Sequence, residues 1–565
     1  MFLRFSSCFL AFPDSNSHVS GDTVFTFKIR AGPKEVKQFL YGFVFFRQKK
    51  DPSLARGYLQ KSVVLLTRHP YVALMKKVVQ IVGPLFFQHG PTLLEAAYRN
   101  MLAWPSPVPG TTYELPVLGS VLTFHIPYSP SLHLVDDTSS LLLCNGSSNG
   151  HFNPAPQLST EQMVSNLQAI NLYSCFRQLT TRLWLLWELV LTNEPILVVS
   201  PSPAQCSDAV LALVSLVSPI PYAGDYRPYF TIHDSDFKDY TSCDNPEGES
   251  RPLILGVTNP FFCKTLKHWP HVVHVGVPPP RTMTTLHSGS GDNIKRSSSN
   301  NALSFQYWSD QVSLHKVYNS KIISSSSPFS SSSPFSSFSS SSSYRQTVIS
   351  KNKGLLPLDK TVIKQLLTDR PDHSDLTDAI NNEQLRKHFL RLTETFLVPL
   401  ERYFTSLLPL AKTLSLFQAP PRLKRFNHAE FLASLSNNKA FVTGKLSKDK
   451  ELYKRFLQTP NFRAWLKARA TEAQQQLRLI YLKKLYEADI PALIQGKTDI
   501  ELIDLYLRMR DQMTVQRKGS LLCNRLKEHL ENLMASLPKD LRNSILENMS
   551  TSASAAPASQ QTRSS

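Results

Sequence analysis

The sequence predicts a multidomain protein in which α/β segments come first and an all-helical segment follows. A chain of 565 residues is long enough for three or four domains of ordinary size. Two-residue alternation of apolar side chains within residues 22–67, and apolar strands that alternate with helices within residues 161–276, predict the α/β part. From Leu355 onward the apolar residues recur at helical spacing, which predicts the helical part.

The first α/β segment begins with strands and continues with helices. Phe25, Phe27 and Ile29 alternate with polar residues, and two apolar runs follow. The spacing then becomes helical, until a Pro-rich stretch ends the second helix. The predicted order is three strands, two helices and a further strand, at residues 25–30, 39–46, 58–66, 71–82, 93–102 and 113–126.

The second α/β segment alternates strands with helices. Its strands are short and apolar, as is usual when helices cover both faces of a mostly parallel sheet. Strands are predicted at residues 195–199, 229–232 and 253–257. Helices are predicted at residues 175–191, 204–217 and 236–240.

Two low-complexity stretches separate these segments. Residues 127–160 are rich in Pro, Ser, Asn and Gly and are interpreted as a linker. In the predicted insertion, residues 277–354, fifteen of the twenty residues from Ser324 to Ser343 are serine. Such a tract cannot bury enough surface to offset its chain entropy, so disorder is predicted there.

The carboxyl-terminal segment, residues 355–547, is predicted to be helical. An apolar stripe from Leu385 to Leu407 marks one long helix. A further helix carries the apolar positions between Leu466 and Ile480, and another opens with a capping box from Thr498 to Glu501. The polar residues 548–565 are interpreted as a disordered tail.

Composition indicates the kind of partner rather than the fold. Lys and Arg outnumber Asp and Glu by 62 to 43, and the net charge of +19 favours acidic partners such as nucleic acid, anionic lipid or an acidic protein surface. The seven cysteines form no Cys-x-x-Cys pair, which is typical of free thiols in a reducing compartment. No apolar run approaches the roughly 18 residues that a membrane-spanning helix needs.

Two short motifs fit a chemical site only out of context. Residues 491–498, PALIQGKT, lack the first glycine of a phosphate-binding loop and follow helical sequence. Residues 146–150, GSSNG, fit the pattern of a serine nucleophile, but no helix follows them. Neither motif is predicted to act on a substrate.

Histidines and basic residues also cluster without a convincing site. His268, His271 and His274 cannot converge on a metal, because Pro270 ends any helix and strand residues 271 and 274 point to opposite faces. The basic block 454–478 could suit nucleic acid or phospholipid, but its aromatic residues fall at helical spacing, which favours a buried helical face. The residues predict no catalytic group, no metal site and no cofactor.

A set of longer motifs resembles the DENN-domain-containing protein 6 family. They recur in the family's order and cover the chain from about Ser7 to Asn543 outside the low-complexity stretches. The motifs are LWELVLTNEPILVVSPSP (186–203), YFTIHDSDFKDY (229–240), LILGVTNPFF (253–262), FLVPLERYFTSLLPL (396–410), YKRFLQTPNFRAWLKAR (453–469) and SLPKDLRN (536–543).

The resemblance implies a guanine nucleotide exchange factor for a Rab-family GTPase in endosomal recycling. It implies a longin-like lobe at residues 1–126, a central DENN lobe with a parallel sheet at 161–276 and a helical downstream module at 355–547. Such a factor makes no covalent bond and needs no cofactor. It is expected in the cytoplasm, recruited to recycling endosomes, with no nucleic acid as partner and with peripheral contact to anionic membrane compatible with its charge.

The GTPase-binding residues are expected in loops at the carboxyl ends of the central strands, where open parallel sheets usually place their binding residues. The alternative is that these residues cap helices and shape turns. The predicted residues are His233, Asp234, Asp236, Thr258, Asn259 and Pro260.

One departure from the family leaves an alternative open. The family has a strand hairpin and most of a helix before the segment that resembles SSCFLAFPDSNS, residues 6–17, whereas this chain begins almost at that segment. Two alternatives are open: the sequence is an incomplete gene model, or the first lobe is truncated and its sheet has an exposed edge. The alternative function is then a DENN scaffold that binds a Rab GTPase or a membrane without exchanging nucleotide.

Overall fold

The fold is a mixture of α/β and helical structure in two compact units. The first unit comprises residues 1–129, 157–400 and 428–465, and the second comprises the remainder. The predicted linker, the serine tract and the GSSNG motif lie outside the described residues. The computed structural model describes residues 7–14, 20–31, 38–55, 57–108, 110–126, 170–241, 253–276, 346–367, 375–409, 415–418, 422–437, 442–515, 521–543 and 545.

The amino-terminal part of the first unit, residues 7–126, is built on a three-stranded antiparallel sheet in the order β1-β2-β3. Alternating residues of β2 face opposite sides of this sheet: Phe43 and Phe45 join one core, and Val44 and Phe46 join another. The three predicted strands and two predicted helices are confirmed. They are β1 (Gly21–Arg30), β2 (Phe39–Lys50), β3 (Tyr58–Thr67), α1 (Val72–His89) and α2 (Thr92–Leu102).

The single strand predicted at residues 113–126 is wrong, because two strands form there. They are β4 (Thr112–Val117) and β5 (Ser120–His125), paired as a hairpin. Leu118 and Gly119 make the turn with φ of 48° and 83°. Positive φ at both central residues matches the twist of a tight hairpin, and glycine adopts it without a steric cost.

The central part of the first unit, residues 170–276 with a returning strand, contains a five-stranded sheet in the order β10-β9-β6-β8-β7. All of its pairs are parallel except β9 with β10, which confirms the predicted mostly parallel sheet. The strands are β6 (Ile196–Val199), β7 (Asp225–Arg227), β8 (Leu253–Val257), β9 (His271–His274) and β10 (Thr347–Ser350).

Helices surround this sheet, and one predicted helix is interrupted. The helix predicted at residues 175–191 is two α-helices joined by a 3-10 helix, Arg177–Arg182, because Leu179 has non-helical torsion angles. The helices of the central part are α3 (Leu172–Phe176), α4 (Leu183–Leu191), α5 (Pro203–Ser215), α6 (Phe237–Thr241) and α7 (Phe261–Thr265).

Two other strand predictions need correction. The strand predicted at 229–232 lies earlier, at β7, because Pro228 has no amide hydrogen to continue the ladder and Thr231 begins a turn. The predicted insertion, 277–354, ends in structure rather than disorder, since its residues 347–350 form β10. Thr347 pairs with His274, so the chain returns beside the strand from which it left.

The remaining helices follow β10. The predicted apolar stripe is confirmed on α9, where Leu385, Phe389, Phe396 and Leu400 are buried. The helices are α8 (Lys360–Leu367), α9 (Asp375–Ser406), α10 (His428–Ser434), α11 (Leu446–Leu457), α12 (Pro460–Tyr486), α13 (Ile490–Ile494), α14 (Asp499–Val515) and α15 (Leu521–Ser536).

Polar side chains tie these helices to the central part within the first unit. Glu188, in the otherwise apolar α4, accepts hydrogen bonds from the backbone N–H groups of Leu355 and Leu356. Asn461 donates from Nδ2 to the carbonyl oxygens of Val190 and Leu191, at the end of α4. These bonds satisfy polar groups that would otherwise be buried without partners.

The second unit has its own core, formed by residues of α12 to α15. The predicted capping box is confirmed, because Thr498 and Glu501 exchange hydrogen bonds between side chain and backbone. The PALIQGKT motif belongs to α13 and the turn after it, without the preceding strand that a phosphate-binding loop needs.

The basic block and the cysteines are as predicted where the structure describes them. The aromatic residues of the basic block, Phe456, Phe462 and Trp465, are buried, so their predicted core role is confirmed. The described cysteines are free, and burial raises the pKa of Cys175 and of Cys263 to about 12. In the same residues, no helix is both long enough and apolar enough to span a bilayer.

Asn461→Ala is expected to destabilise the first unit by about 3 kcal/mol. The variant loses the two bonds to α4 and a third from the backbone N–H of Ala223, each contributing on the order of 1 kcal/mol. Urea unfolding followed by tryptophan fluorescence measures the loss. Gln474→Ala, at an exposed position of α12, is the control. An unchanged unfolding midpoint for Asn461→Ala would contradict the role given to this side chain.

Replacing residues 277–345 by a short Gly-Ser linker is expected to leave the first unit folded. Gln346 donates from its side chain to the carbonyl of Gly276, so a few residues can bridge the two ends. The melting temperature should change by only a few degrees, because loop closure costs little and depends weakly on loop length. Loss of the cooperative transition would show that the insertion supports the sheet.

Candidate functional site

The candidate site lies where the amino-terminal part and the central part of the first unit pack together. Strand β1 lies against α5, and the backbone N–H of Thr26 donates to the hydroxyl of Ser207 over 3.3 Å. Lys76 of α1 forms an ion pair with Asp208 of α5. Phe25 packs edge-on against Tyr229 with ring centroids 5.3 Å apart, so both parts contribute to one core.

Arg227 is the centre of a buried ionic network at this contact. Its side chain is 0% exposed. Its guanidinium donates to Asp225 over 3.2 Å, to the carbonyl oxygen of Lys28 over 3.1 Å and to the hydroxyl of Tyr240 over 3.0 Å. It also forms an ion pair with Asp236. A guanidinium has five donors in a fixed planar fork, which suits several acceptors around one point.

Two further cations extend the network from β1. The Lys28 ammonium donates to Asp225 over 2.9 Å and lies 4.0 Å and 4.1 Å from the ring centroids of Phe39 and Tyr226. Arg30 donates to Asp236 over 3.3 Å. The two aromatic rings exclude water from the Lys28–Asp225 pair, which strengthens the attraction between its charges.

Burial and charge act on the carboxyl groups in opposite directions. Burial would raise the pKa of Asp225, but the positive charges of Arg227 and Lys28 lower it to about 2. Burial raises the pKa of Asp234 to about 6 despite the nearby charge of Arg227, whose nitrogen lies 4.0 Å away. Asp225 is therefore ionised at neutral pH, and Asp234 loses its proton only above mildly acidic pH.

Three chain segments, residues 7–14 and the loops after β7 and β8, meet at a partly exposed surface. The residues 7–14, which begin with a helical turn, bring Phe9 against His233, with the rings stacked and their centroids 4.4 Å apart. The Asn259 side chain donates to the carboxylate of Asp14 over 3.3 Å. Apolar side chains of the three segments point outward here. We call this the apolar surface, and its apolar members are Phe9, Phe12, Ile232 and Phe261.

The apolar surface exposes large side chains that a core would normally hold. Phe9 is 48% exposed and Phe261 is 46% exposed, while the neighbouring Leu10 and Phe262 are completely buried. In both of these segments the exposed phenylalanine directly precedes a buried apolar residue that anchors it. Grouped exposed apolar residues on a protein surface are typical of a binding site.

Local backbone chemistry fixes the two loops of the central part. The Asp234 carboxylate accepts a hydrogen bond from the N–H of Asp236, and the Asn259 side chain accepts one from the N–H of Phe261. Such bonds hold tight turns. In β8, a Cβ at Gly256 would lie 2.3 Å from the carbonyl oxygen of Pro228, so only glycine allows this close approach.

The six predicted site residues divide into two groups. His233 is exposed, and Asn259 and Pro260 are half-buried, at the apolar surface. Thr258 is buried beneath the surface together with two predicted residues that belong to the network or its turn, Asp234 and Asp236. The alternative interpretation, that some of these residues shape turns, is confirmed for Asp234 and Asn259, and their predicted role in GTPase binding stays a prediction.

Sequence reasoning missed the network and most of the apolar surface. The alternation in β1 predicts Lys28 and Arg30 on its polar side, yet Lys28 is buried against the central part. Arg227 and Asp225 lie in a short edge strand, four residues before the strand that the sequence predicts. The signal that could have found the network was the run Asp225-Tyr226-Arg227-Pro228, with two opposite charges on one face of a strand.

The arrangement is suited to binding. Within the residues that the structure describes, no group of three His, Cys, Asp or Glu side chains could hold a metal ion. His271 and His274 lie on β9 at positions of opposite parity, as expected. The site therefore offers apolar contacts and two polar groups, His233 and Asn259, on a rigid support.

Asp234→Asn is expected to remove a pH dependence of folding. Because the folded-state pKa of Asp234 is raised, the folded protein holds this proton more tightly, and the stability it contributes falls as pH rises from about 4 to 6. From pH 4.5 to 7 the variant should gain about 2 kcal/mol relative to the wild type. Urea unfolding at both pH values measures the free energy of unfolding. The same difference in that free energy between variant and wild type at pH 4.5 and at pH 7 would contradict the prediction.

Three protein-family models match the chain. The model for the DENND6 C-terminal domain matches residues 490–548, the model described as Stabilization of polarity axis matches 170–276, and the model for Transport protein Avl9 matches 6–222. The second match covers four of the five strands of the central sheet and the loops between them. The third covers the amino-terminal part and the beginning of the central part.

Whole-chain relatives agree with these matches. Protein DENND6 homolog of Dictyostelium discoideum is 40% identical over 577 residues, covering 93% of this chain and 75% of the relative. Protein DENND6A of Mus musculus and Protein DENND6B of Homo sapiens are each 34% identical over 567 residues, covering 95% of this chain and 84% and 86% of the relatives. The resemblance predicted from the motifs is confirmed, and this chain belongs to the DENND6 family.

Proposed function

We propose that this protein is a guanine nucleotide exchange factor that promotes GDP release from a Rab-family GTPase in endosomal recycling. Membership of the DENND6 family supports the proposal, through the resemblance of the motifs to exchange factors of that kind. The observation that carries it is the apolar surface, which three chain segments form together over a rigid ionic network. Docked proteins contact apolar and aromatic residues of this kind at the centre of an interface.

An exchange factor needs differential binding rather than a catalytic group. It accelerates GDP release by binding the nucleotide-free GTPase more tightly than the loaded one. By linkage, bound nucleotide weakens the GTPase's affinity for the factor by the same ratio by which the factor weakens its affinity for nucleotide. An acceleration of about a thousandfold requires about 4 kcal/mol along the release path. Apolar contacts at Phe9, Phe12, Ile232 and Phe261 are of the right kind, because burying one such side chain contributes about 1.5–3 kcal/mol.

The remaining expectations are proposed on the same basis. The amino-terminal part is the longin-like lobe, the central part is the DENN lobe, and the helices from α8 onward are the downstream module. The protein performs no covalent chemistry of its own. It works in the cytoplasm and is recruited to recycling endosomes, where its net charge of +19 favours contact with anionic membrane.

His233→Ala combined with Asn259→Ala is expected to lower exchange activity at least about tenfold. The double variant loses the ring stack on Phe9 and the bond to Asp14, so two contacts of the apolar surface are removed. Loss of about 1.4 kcal/mol corresponds to a tenfold change. Release of fluorescent GDP, measured across a panel of Rab GTPases, gives the rates.

Tyr98→Ala is the matched control. Tyr98 is an exposed aromatic residue of α2, a helix that packs on α1 and β4. Its loss should leave the exchange rate unchanged. If the folded double variant exchanges nucleotide at the wild-type rate, the apolar surface is not the GTPase-binding site. If the wild type binds a Rab GTPase without accelerating GDP release, the scaffold alternative is favoured.

A further inference from the structure

Arg227 stands out among the buried charges because its contacts join separate pieces of chain. Besides Asp225 of its own strand, it contacts the Lys28 carbonyl in β1 and the side chains of Asp236 and Tyr240 in the segment after β7. The residues Lys28 and Arg227 are separated by 199 positions in the sequence. The guanidinium is therefore a physical link between the amino-terminal part and the loop that follows β7.

That loop carries part of the apolar surface. Ile232 and His233 lie directly before Asp234, whose carboxylate holds the turn, and Asp236 follows two residues later in contact with Arg227. The exposed residues of the loop thus stand on a buried turn that Arg227 fixes. If the guanidinium were absent, Asp236 would keep Arg30 as its ion partner, but only at 3.3 Å and on the partly exposed side of the network.

The opposite side of the apolar surface depends on the same frame. Leu10 and Ala11 are buried against β1 and Tyr229, and the Tyr229 hydroxyl donates to the carbonyl of Phe12 over 3.1 Å and accepts from the N–H of Asp14 over 2.6 Å. These contacts fix the position of residues 7–14 relative to β1 and to Tyr229, at the start of the loop. The distance between Phe9 and His233 follows from how β1 and the loop are held together.

We propose that Arg227 is a positioning residue for the apolar surface. By joining β1 to the loop after β7 through Asp236 and Tyr240, it holds His233 and Ile232 in place beside Phe9 before a GTPase binds. This inference rests on the proposed function and deepens it. It assigns to a buried side chain, which no partner can touch, the preorganisation that a binding surface needs.

Lysine and arginine differ in a way that tests this role. Lysine retains the charge but has a single nitrogen, so it cannot reach Asp225, the Lys28 carbonyl, Tyr240 and Asp236 at once. Arg227→Lys therefore keeps the charge balance of the network and removes its geometry. Asp236→Asn is a second variant, which leaves Arg227 its contact with Asp225 and should act in the same direction with a smaller effect.

Asp449→Ala is the matched control for loss of stability. Asp449 is also a buried acceptor of the first unit, but it holds the turn at Val442 and Thr443 instead of the loop after β7. The dependence of the GDP release rate on GTPase concentration is measured for Arg227→Lys and for Asp449→Ala. Loss of folded protein lowers the maximal rate, whereas loss of positioning raises the half-saturating concentration.

The expected result is a half-saturating concentration about tenfold higher for Arg227→Lys, with the maximal rate within about twofold of the wild type. Asp449→Ala should leave the half-saturating concentration unchanged. An unchanged half-saturating concentration in Arg227→Lys, with any loss confined to the maximal rate, would overturn the proposal and leave Arg227 a purely structural residue.

Amide hydrogen exchange without a GTPase separates this inference from the proposed function. Arg227→Lys should lose protection at residues 231–241, and Asp449→Ala should not. Unchanged protection in Arg227→Lys would overturn the positioning role even if the wild type is an active exchange factor. A wild type that accelerates GDP release on no Rab would refute the proposed function, whatever the hydrogen exchange shows.

Discussion

The structure of the first unit depends on charges buried where its two parts meet. Three cations face three carboxylates there, and the removal of any one would unbalance the charges of a largely buried network. Such pairs add little net stability compared with apolar packing, but they strongly disfavour arrangements in which one of them is unpaired. The network therefore selects one placement of β1 relative to the loop after β7. Its members are Lys28, Arg30, Arg227, Asp225, Asp234 and Asp236.

This constraint accounts for how a binding surface can form from three distant segments. Phe9, His233 and Asn259 come from separate regions of the chain, and none of these regions forms a surface alone. Each segment is fixed by buried contacts and exposes the neighbouring residues. A preorganised surface does not have to be ordered when a partner binds, so more of the contact energy would be available for the proposed exchange on a GTPase.

The sequence was informative where a local period sets the structure. Strands β1 to β3, the helices of the amino-terminal part and the long helix α9 follow from periodic apolar spacing, and strands β6 and β8 follow from short apolar runs. Predictions failed where one residue breaks the period. Pro228 ends β7 before the predicted strand begins, and Leu118 and Gly119 turn one predicted strand into a hairpin.

The site was less predictable than the fold for a physical reason. The topology rule predicts His233 and Asn259 in loops that follow strands, and the structure has them in the loops after β7 and β8, although His233 lies well past the end of β7. The rule could not distinguish Asp234 and Asp236, which are buried, from exposed residues of the same loops, because their burial depends on Arg227 and β1. Pairing between residues about 200 positions apart leaves no trace in a local pattern. The phenylalanine residues of segment 7–14 were missed for the same reason.

The central claim concerns the difference between two affinities. The most direct test measures binding of the purified protein to one Rab GTPase in its nucleotide-free form and in its GDP-bound form, under the same conditions. The account predicts that the nucleotide-free form binds more tightly, because the protein and the bound nucleotide weaken each other's affinity for the GTPase by the same ratio. Equal affinity for the two forms, across the Rab family, would contradict it.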